Sequence, residues 1–374
     1  MGNLCSYSYH GYEFDDTFSQ AITMQWHITV ACDQRCKHCY MFNNAEYTLQ
    51  KETQLTRKLS FELIDGFVDL LRKLKTAGYI TITGGDPLLS NNFWDILGYA
   101  LKYKDILRAD TVLGNSYHVD KAVAQRLKLS GVKRYQISID GLESTHDYIR
   151  KVGSFKDAIR ALECLHNEGI QTMVMATVHK QNCNEIVDLY KYLSNLEFID
   201  SFSLDRMTPI GHGKTELNGG IVDNDDYRKM MYDLFTFEAI ENRRRILAYK
   251  DRLWKPLFYH LGLTDPLDSD NKRYWAICPA GASFCVLSDG SIYACRRLDI
   301  KAGKFPEENF EDIYFNAPLF RDLRNPNQYT SCNDCFLKLY CNGCPAMKYA
   351  VNGQIGGTDP NCPWHFSQSQ SFCK

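Results

Sequence analysis

The stretch ACDQRCKHCYM, residues 31–41, places Cys32, Cys36 and Cys39 directly after MQWHITV (24–30), a run whose apolar and β-branched content reads as a β-strand. Thiolates hold iron–sulfur clusters, and four of them close a [4Fe–4S] cube, so a set of three leaves one iron with an open position. An open metal position can chelate a substrate or a cofactor. His38 stands between the second and third cysteines, so these residues taken alone also suit a Cys3His zinc site.

Outward from this loop the chain alternates strand-like and helical runs. SFELIDGFVDLLRKLKTAG (60–78) reads as a helix with Phe61, Ile64, Phe67, Leu71 and Leu74 on one face, Ser60 as its N-cap and Gly78 closing its end. YITITGG follows at once, and then ADTVLG (109–114), a helix from about 119, RYQISID (134–140), a helix over 154–167, QTMVMATV (171–178), a helix over 184–195 and IDSFSLD (199–205). Strands separated by helices predict a parallel sheet covered on both faces, and six such units predict an open, partial (β/α)6 barrel in place of the closed eight-stranded form. The expected organisation is an N-terminal extension over 1–23, the partial barrel over 24–210, a charged helical bridge over 211–270 and a small cysteine-rich domain over 271–374. In the bridge, ENRRRI (241–246) reads as a solvated helix face, with a phosphate clamp as the alternative.

With 374 residues, 44% of them hydrophobic, the chain can bury a large core. Lys and Arg number 43 against 45 Asp and Glu, a balance that leaves no electrostatic footprint for nucleic acid or an acidic membrane. No apolar run reaches membrane-spanning length and no signal segment opens the chain, which predicts a cytoplasmic protein. Fifteen cysteines without a secretion signal point to metal or redox chemistry; eight lie between 278 and 362, while Cys5, Cys164, Cys183 and Cys373 are scattered.

In this setting the three-cysteine loop resembles the CxxxCxxC signature of the radical S-adenosylmethionine (SAM) superfamily. The resemblance implies that the open iron binds SAM and that a 5′-deoxyadenosyl radical does the chemistry. ITGGDP (82–87) stands where the family usually shows GGEP, which assigns the SAM ammonium group to Gly84, Gly85 and Asp86, with aspartate shortening the reach of the usual glutamate. QISIDG (136–141) with HDYIR (146–150) is similar to the family's fourth-strand region and implies Ser138 at the ribose and Arg150 at the SAM carboxylate. Asn115 and Val178 are carried over to the ribose side and the adenine face, and His38 is grouped with these cofactor-binding residues.

The downstream pattern is CPAGASFCVLSDGSIYAC (278–295), CNDCFLKLYCNGC (332–344) and Cys362. Asp289-Gly290 is a hairpin turn signal that would bring Cys285 and Cys295 onto facing strands. Eight thiolates suffice for two fully ligated clusters, though CxxC pairs suit zinc as well. The layout resembles the SPASM domain, which implies one auxiliary cluster on Cys278, Cys285, Cys295 and Cys344 and a second on Cys332, Cys335, Cys341 and Cys362. Cys341 and Cys344 are separated by two residues where the family usually has three. Three [4Fe–4S] clusters and SAM are therefore the expected cofactors.

SPASM relatives include sulfatase maturases and maturases of ribosomally made peptides. The former carry a basic aspartate directly after the cysteine that ends the hairpin; here Arg296 holds that place and cannot act as a base. The leading expectation is a peptide maturase that abstracts a hydrogen atom from a precursor residue and closes a thioether or carbon–carbon crosslink, with flavodoxin or ferredoxin as electron donor. Another side chain or a small metabolite is the alternative substrate. Asp205 and Arg206 at the end of the sixth strand are the substrate-facing candidates by position, together with Arg296.

Overall fold

The computed structural model describes residues 21–41, 54–241, 244–263, 279–325, 335, 337 and 341–362. Cys278 and Cys332 lie outside the described residues, as do Asn242 and Arg243 of the arginine run. The barrel half runs β1 (Ile22–His27), α1 (Arg57–Leu74), β2 (Gly78–Thr83), α2 (Phe93–Ala100), β3 (Leu107–Leu113), α3 (Lys121–Leu129), β4 (Arg134–Ser138), α4 (Glu143–Ile149), α5 (Ser154–Asn167), β5 (Gln171–Val178), α6 (Ile186–Ser194) and β6 (Ser201–Arg206). After it come α7 (His212–Thr215), α8 (Asn224–Thr236), β7 (Leu247–Ala248), α9 (Trp254–His260), β8 (Phe284–Val286), β9 (Ser291–Tyr293), β10 (Lys301–Lys304), α10 (Phe310–Asn316), α11 (Pro318–Arg324) and α12 (Pro345–Asn352).

Strands β1 to β6 pair in sequence order and all in parallel, as the β/α alternation predicts. Their side chains alternate. Trp26, Ile82, Val112, Ile137, Val174, Phe202 and Leu204 are buried under the helices, whereas Gln25, Thr81, Gln136, Ser138, Met173, Ser203 and Asp205 are partly exposed on the other face. Two additions were not legible in the local pattern. The bridge supplies β7, a short seventh strand parallel to β6, and the cysteine-rich half supplies β8, which pairs in parallel with β1 through Gln25 and Cys285. Together with β9 and β10 these strands make one sheet, ten strands wide among the described residues.

The first helix begins earlier than expected. Thr56, not Ser60, is its N-cap and accepts the Leu59 N–H, while Ser60 is buried inside the helix. Lys75, at φ 51°, ends it in place of Gly78. Gly78 instead opens β2, where a Cβ would stand 2.3 Å from Leu71 Cδ1. The barrel and the cysteine-rich half share one core: Phe67 of α1 packs edge-on to Phe284 of β8 at 6.1 Å and against Phe310 of α10 at 5.7 Å. Arg244 of the arginine run is neither on a helix nor a clamp; it donates to the carbonyl oxygens of Leu196, Glu197 and Ile199. No helix among the described residues is long and apolar enough to cross a membrane.

Candidate active site

The loop after β1 is laced to the end of β2. Ile28 donates to Thr83 O at 2.9 Å, Gly85 to Thr29 O at 2.8 Å and Asp86 to Ala31 O at 2.7 Å. A Cβ at Gly84 would stand 2.5 Å from Thr29 O, and one at Gly85 would stand 2.3 Å from Ala31 O. The glycine pair is therefore required first by the cysteine loop itself, whose backbone presses against it. Further along, Lys37 donates to Ile149 O at 2.9 Å and His212 of α7 to Cys39 O at 3.0 Å, so α4 and the bridge also pin the loop.

The three thiols of this loop lie within electrostatic reach of one another. Burial pushes Cys36 up to about 12, opposed by Arg150 and reinforced by Cys39 and Cys32; burial raises Cys32 and Cys39 too. A metal must displace those protons to bind. The eleven described cysteines are all free thiols. Among the described residues no three His, Cys, Asp or Glu side chains converge on a single-ion site. Three thiols presented together on one loop are a donor set that suits an iron–sulfur cluster with one open iron.

Around the trio the predicted residues gather. Asn115 Nδ2 donates toward Cys32 Sγ at 3.9 Å, and Arg150 Nη1 lies 3.6 Å from Cys36 Sγ. Arg150 Nε donates to Asp140 Oδ2 at 2.5 Å, and His38 Nε2 meets the same oxygen at 3.0 Å. Asp140 is completely buried, yet Arg150 and His38 outweigh that burial and hold its carboxyl well below the usual range. Its other oxygen accepts the Thr177 N–H at 2.8 Å. Asp140 was inside a quoted motif but not singled out; its position directly after an inward-pointing strand end was the available signal. His146 and His179, also unforeseen, flank this network, and burial drives both imidazoles down to about 4, so they are neutral at physiological pH. Asp86 caps the turn at Pro87–Leu89 through the Leu88 N–H, and burial raises its carboxyl to about 6. Ser138 sits partly exposed on the inner face of β4. Val178 does not reach that face: it shares the buried side of β5 with Val174 and Ala176, because strand periodicity turns it into the core.

Two substrate-facing candidates are corrected. Arg206 is 2% exposed and chelated by two carboxylates, with Nε 2.8 Å from Asp251 and Nη1 and Nη2 2.5 and 3.0 Å from Asp359. It ties β6 to the bridge and to the C-terminal segment. Arg296 is buried as well; it donates to Tyr40 O at 3.2 Å and lies over the Tyr40 ring, bracing the end of the cysteine loop. Both arginines turn inward because a buried guanidinium needs the acceptors that only these distant segments supply. Asp205 remains at the rim, paired with Arg297 at 2.7 Å.

In the cysteine-rich half the hairpin turn forms as expected, with Gly290 at φ 84°, but Cys285 stands opposite Tyr293 and Cys295 lies two residues beyond the strand pair instead of on the facing strand. Cys295 and Cys344 both lie within electrostatic reach of Arg297. Asn342 and Gly343, at φ 57° and 63°, make the short link between Cys341 and Cys344 a tight left-handed turn. Asp359 accepts the Cys344 N–H at 2.8 Å through Oδ2, while its carbonyl accepts the Cys362 N–H at 3.0 Å. Cys335 is partly buried beside the same core.

Residues 26–193 match the model of the radical SAM superfamily, and residues 278–336 match that of the SPASM iron–sulfur cluster-binding domain. The chain belongs to the radical SAM superfamily and carries a SPASM domain. It is a SAM-dependent iron–sulfur enzyme. Among curated proteins, an AdoMet-dependent heme synthase of Nitratidesulfovibrio vulgaris is 26% identical over 352 residues, 91% of each chain. The mycofactocin maturase MftC of Mycolicibacterium smegmatis is 26% identical over 360 residues, covering 94% of this chain and 84% of its own. Among solved structures, Streptococcus suis SuiB bound to precursor peptide SuiA aligns with a TM-score of 0.72 at 18% identity, over 93% of this chain and 76% of SuiB, which shows a shared fold.

Proposed function

We propose that this radical SAM/SPASM enzyme is a peptide maturase that removes a hydrogen atom from a residue of a ribosomally made precursor and leaves an oxidative thioether or carbon–carbon crosslink. The observation that carries the reading is the pairing of β8 with β1, which builds Cys285, one of the auxiliary cysteines, into the wall of the barrel whose rim bears Cys32, Cys36 and Cys39. In this reading residues 24–210 form the SAM-binding barrel, 211–270 the bridge and 271–374 the auxiliary domain. The maturase MftC, similar over nearly the whole chain, supports it.

Cys32, Cys36 and Cys39 would hold one [4Fe–4S] cluster. Cys278, Cys285, Cys295 and Cys344 would hold a second, and Cys332, Cys335, Cys341 and Cys362 a third. The open cluster together with SAM would supply a one-electron reduction of the sulfonium and, from SAM, the oxidising power for hydrogen abstraction, while the auxiliary clusters would take up the electron that the substrate gives up. The chain's own residues do the positioning. Asp86 and the carbonyl-lined turn at Gly84 and Gly85 would take the SAM ammonium, Arg150 its carboxylate, and Ser138 and Asn115 its ribose. Asp140 aims Arg150 at the cysteine loop and holds His38 within that loop, and Arg296 closes the loop's far end against the auxiliary domain. A flavodoxin or ferredoxin donor and a cytoplasmic location complete the proposal.

A tetrapyrrole substrate is the second reading, favoured by the heme synthases that match the chain over a similar span. The deciding experiment incubates the anaerobically reconstituted enzyme with SAM, reductant and the small peptide encoded beside its gene. Loss of a pair of hydrogen atoms from the peptide, with 5′-deoxyadenosine released in step, is the expected result. An unchanged peptide under conditions where a porphyrin is converted would replace the first reading with the second.

A further inference from the structure

Lys348 stands one turn into α12, where its N–H is accepted by the carbonyl of Cys344 at 3.1 Å. Among the described residues it is the one buried lysine, at 0% exposure. Lysine is almost never enclosed in this way unless an anion compensates it. A helical side chain leans back toward the helix start, and here that direction leads to the Asn342-Gly343 turn joining Cys341 to Cys344. A Cβ at Gly343 would stand 3.2 Å from Lys348 Cε and 3.1 Å from Asp359 Oδ2, so the end of the lysine and the aspartate carboxylate close on the same point of that turn.

The buried charge around this point does not balance without the lysine. Arg206 meets two carboxylates, Asp251 and Asp359, so the three together keep one net negative charge out of reach of water. Asp359 also accepts the Cys344 N–H at 2.8 Å, which sets that charge beside a proposed cluster ligand. Thiolates already make an iron–sulfur cluster anionic, and reduction adds one more negative charge. A neighbouring surplus carboxylate opposes reduction, and a buried ammonium offsets it at the low effective dielectric of the interior. The other cations near these thiols are Arg252 and Lys255 by Cys341 and Arg297 by Cys344. All three are partly exposed, and Arg297 is paired with Asp205 at 2.7 Å.

We propose that Lys348 is the charge-balancing residue of the auxiliary half: it offsets the net negative charge of Arg206, Asp251 and Asp359 and so raises the potential of the clusters on Cys341 and Cys344. The inference rests on the reading of the downstream cysteines as ligands of electron-accepting clusters. In that reading the substrate loses one electron and an auxiliary cluster is reduced by one equivalent, a transfer that a higher cluster potential favours.

The test is a potentiometric titration of the reconstituted holoenzyme followed by electron paramagnetic resonance. Added SAM changes the signal of the open-iron cluster and so identifies the auxiliary ones. Lys348→Met should disfavour the reduced auxiliary cluster by roughly tenfold, which lowers its midpoint by about 59 mV for one electron. Lys348→Arg should stay near wild type, and Lys229→Met, which removes a lysine with a 77% exposed side chain on α8, should change nothing. Asp359→Asn should shift the midpoint upward, and the double variant Lys348→Met with Asp359→Asn should return it toward wild type, a rescue that a purely packing role does not produce. An unmoved midpoint in Lys348→Met with full iron content overturns the proposal, as does an equal fall in Lys348→Arg or a double variant no different from Lys348→Met. Lys348→Gln, which keeps a polar end, gives the same comparison should the methionine variant lose iron. A wild-type protein without auxiliary-cluster signals would overturn the cluster reading together with the inference, whereas signals with an unmoved midpoint overturn the inference alone.

Discussion

Replacing Arg206 by methionine tests whether the barrel and the auxiliary half are held together by a buried ionic hub. Arg206, Asp251 and Asp359 have side chains at most 2% exposed, and the guanidinium makes contacts of 2.8 and 3.3 Å to Asp251 and 2.5 and 3.0 Å to Asp359. Such a group is strongly desolvated, so removing it strands two carboxylates where water cannot reach them. Loss of one partner from a buried pair costs about 3–5 kcal/mol, and with two carboxylates left behind the upper part of that range is expected. Arg206→Lys retains the charge but cannot chelate both acids, and should cost about 1.5–3 kcal/mol, the value of its lost charge-assisted hydrogen bonds. The triple change with Asp251→Asn and Asp359→Asn should recover part of the loss, since the stranded charges are gone. The measurement is urea unfolding of the reduced apoprotein, combined with hydrogen exchange over residues 341–362. Because Asp359 also holds the Cys344 and Cys362 amides, exchange there should accelerate in Arg206→Met. A destabilisation below about 1 kcal/mol, with unchanged exchange in that segment, would refute the hub.

Three further outcomes are expected. Gly85→Ala should cost at least about 2 kcal/mol and lower iron incorporation, because its Cβ would meet Ala31 O at 2.3 Å and Val30 O at 2.5 Å; normal iron content would contradict this. Asp86 has a folded pKa near 6 against an ordinary 3.8, so between those values the folded apoprotein binds the extra proton and its stability should fall as pH rises. The Asp86→Asn variant should lack that component, worth up to about 3 kcal/mol across the window, and parallel pH–stability curves for the two proteins would contradict the assignment. Asp140→Asn removes the buried counter-charge of Arg150 and the carboxylate that meets His38 Nε2, and should destabilise the apoprotein by about 3 kcal/mol or more, a loss read by the same unfolding assay and disproved by wild-type stability.

Local sequence determined what depends on neighbours along the chain. The spacing of Cys32, Cys36 and Cys39, the period-two and helical runs that specify six parallel β/α units, and the Asp289-Gly290 turn all express constraints acting within a few residues, and each was legible. Tertiary structure decided what depends on remote partners. Arg206 sits at a strand end where a barrel enzyme meets its substrate, but carboxylates 45 and 153 residues away turn it into a buried tie. Val178 obeys the strand alternation and disappears into the core, and β8 pairs with the open edge of β1 across more than 250 residues of intervening chain. A short apolar strand or a charged side chain carries no record in its own neighbourhood of which distant edge or counter-ion will satisfy it. The burial of polar groups, and with it the choice between tie and binding site, is settled only when those segments meet.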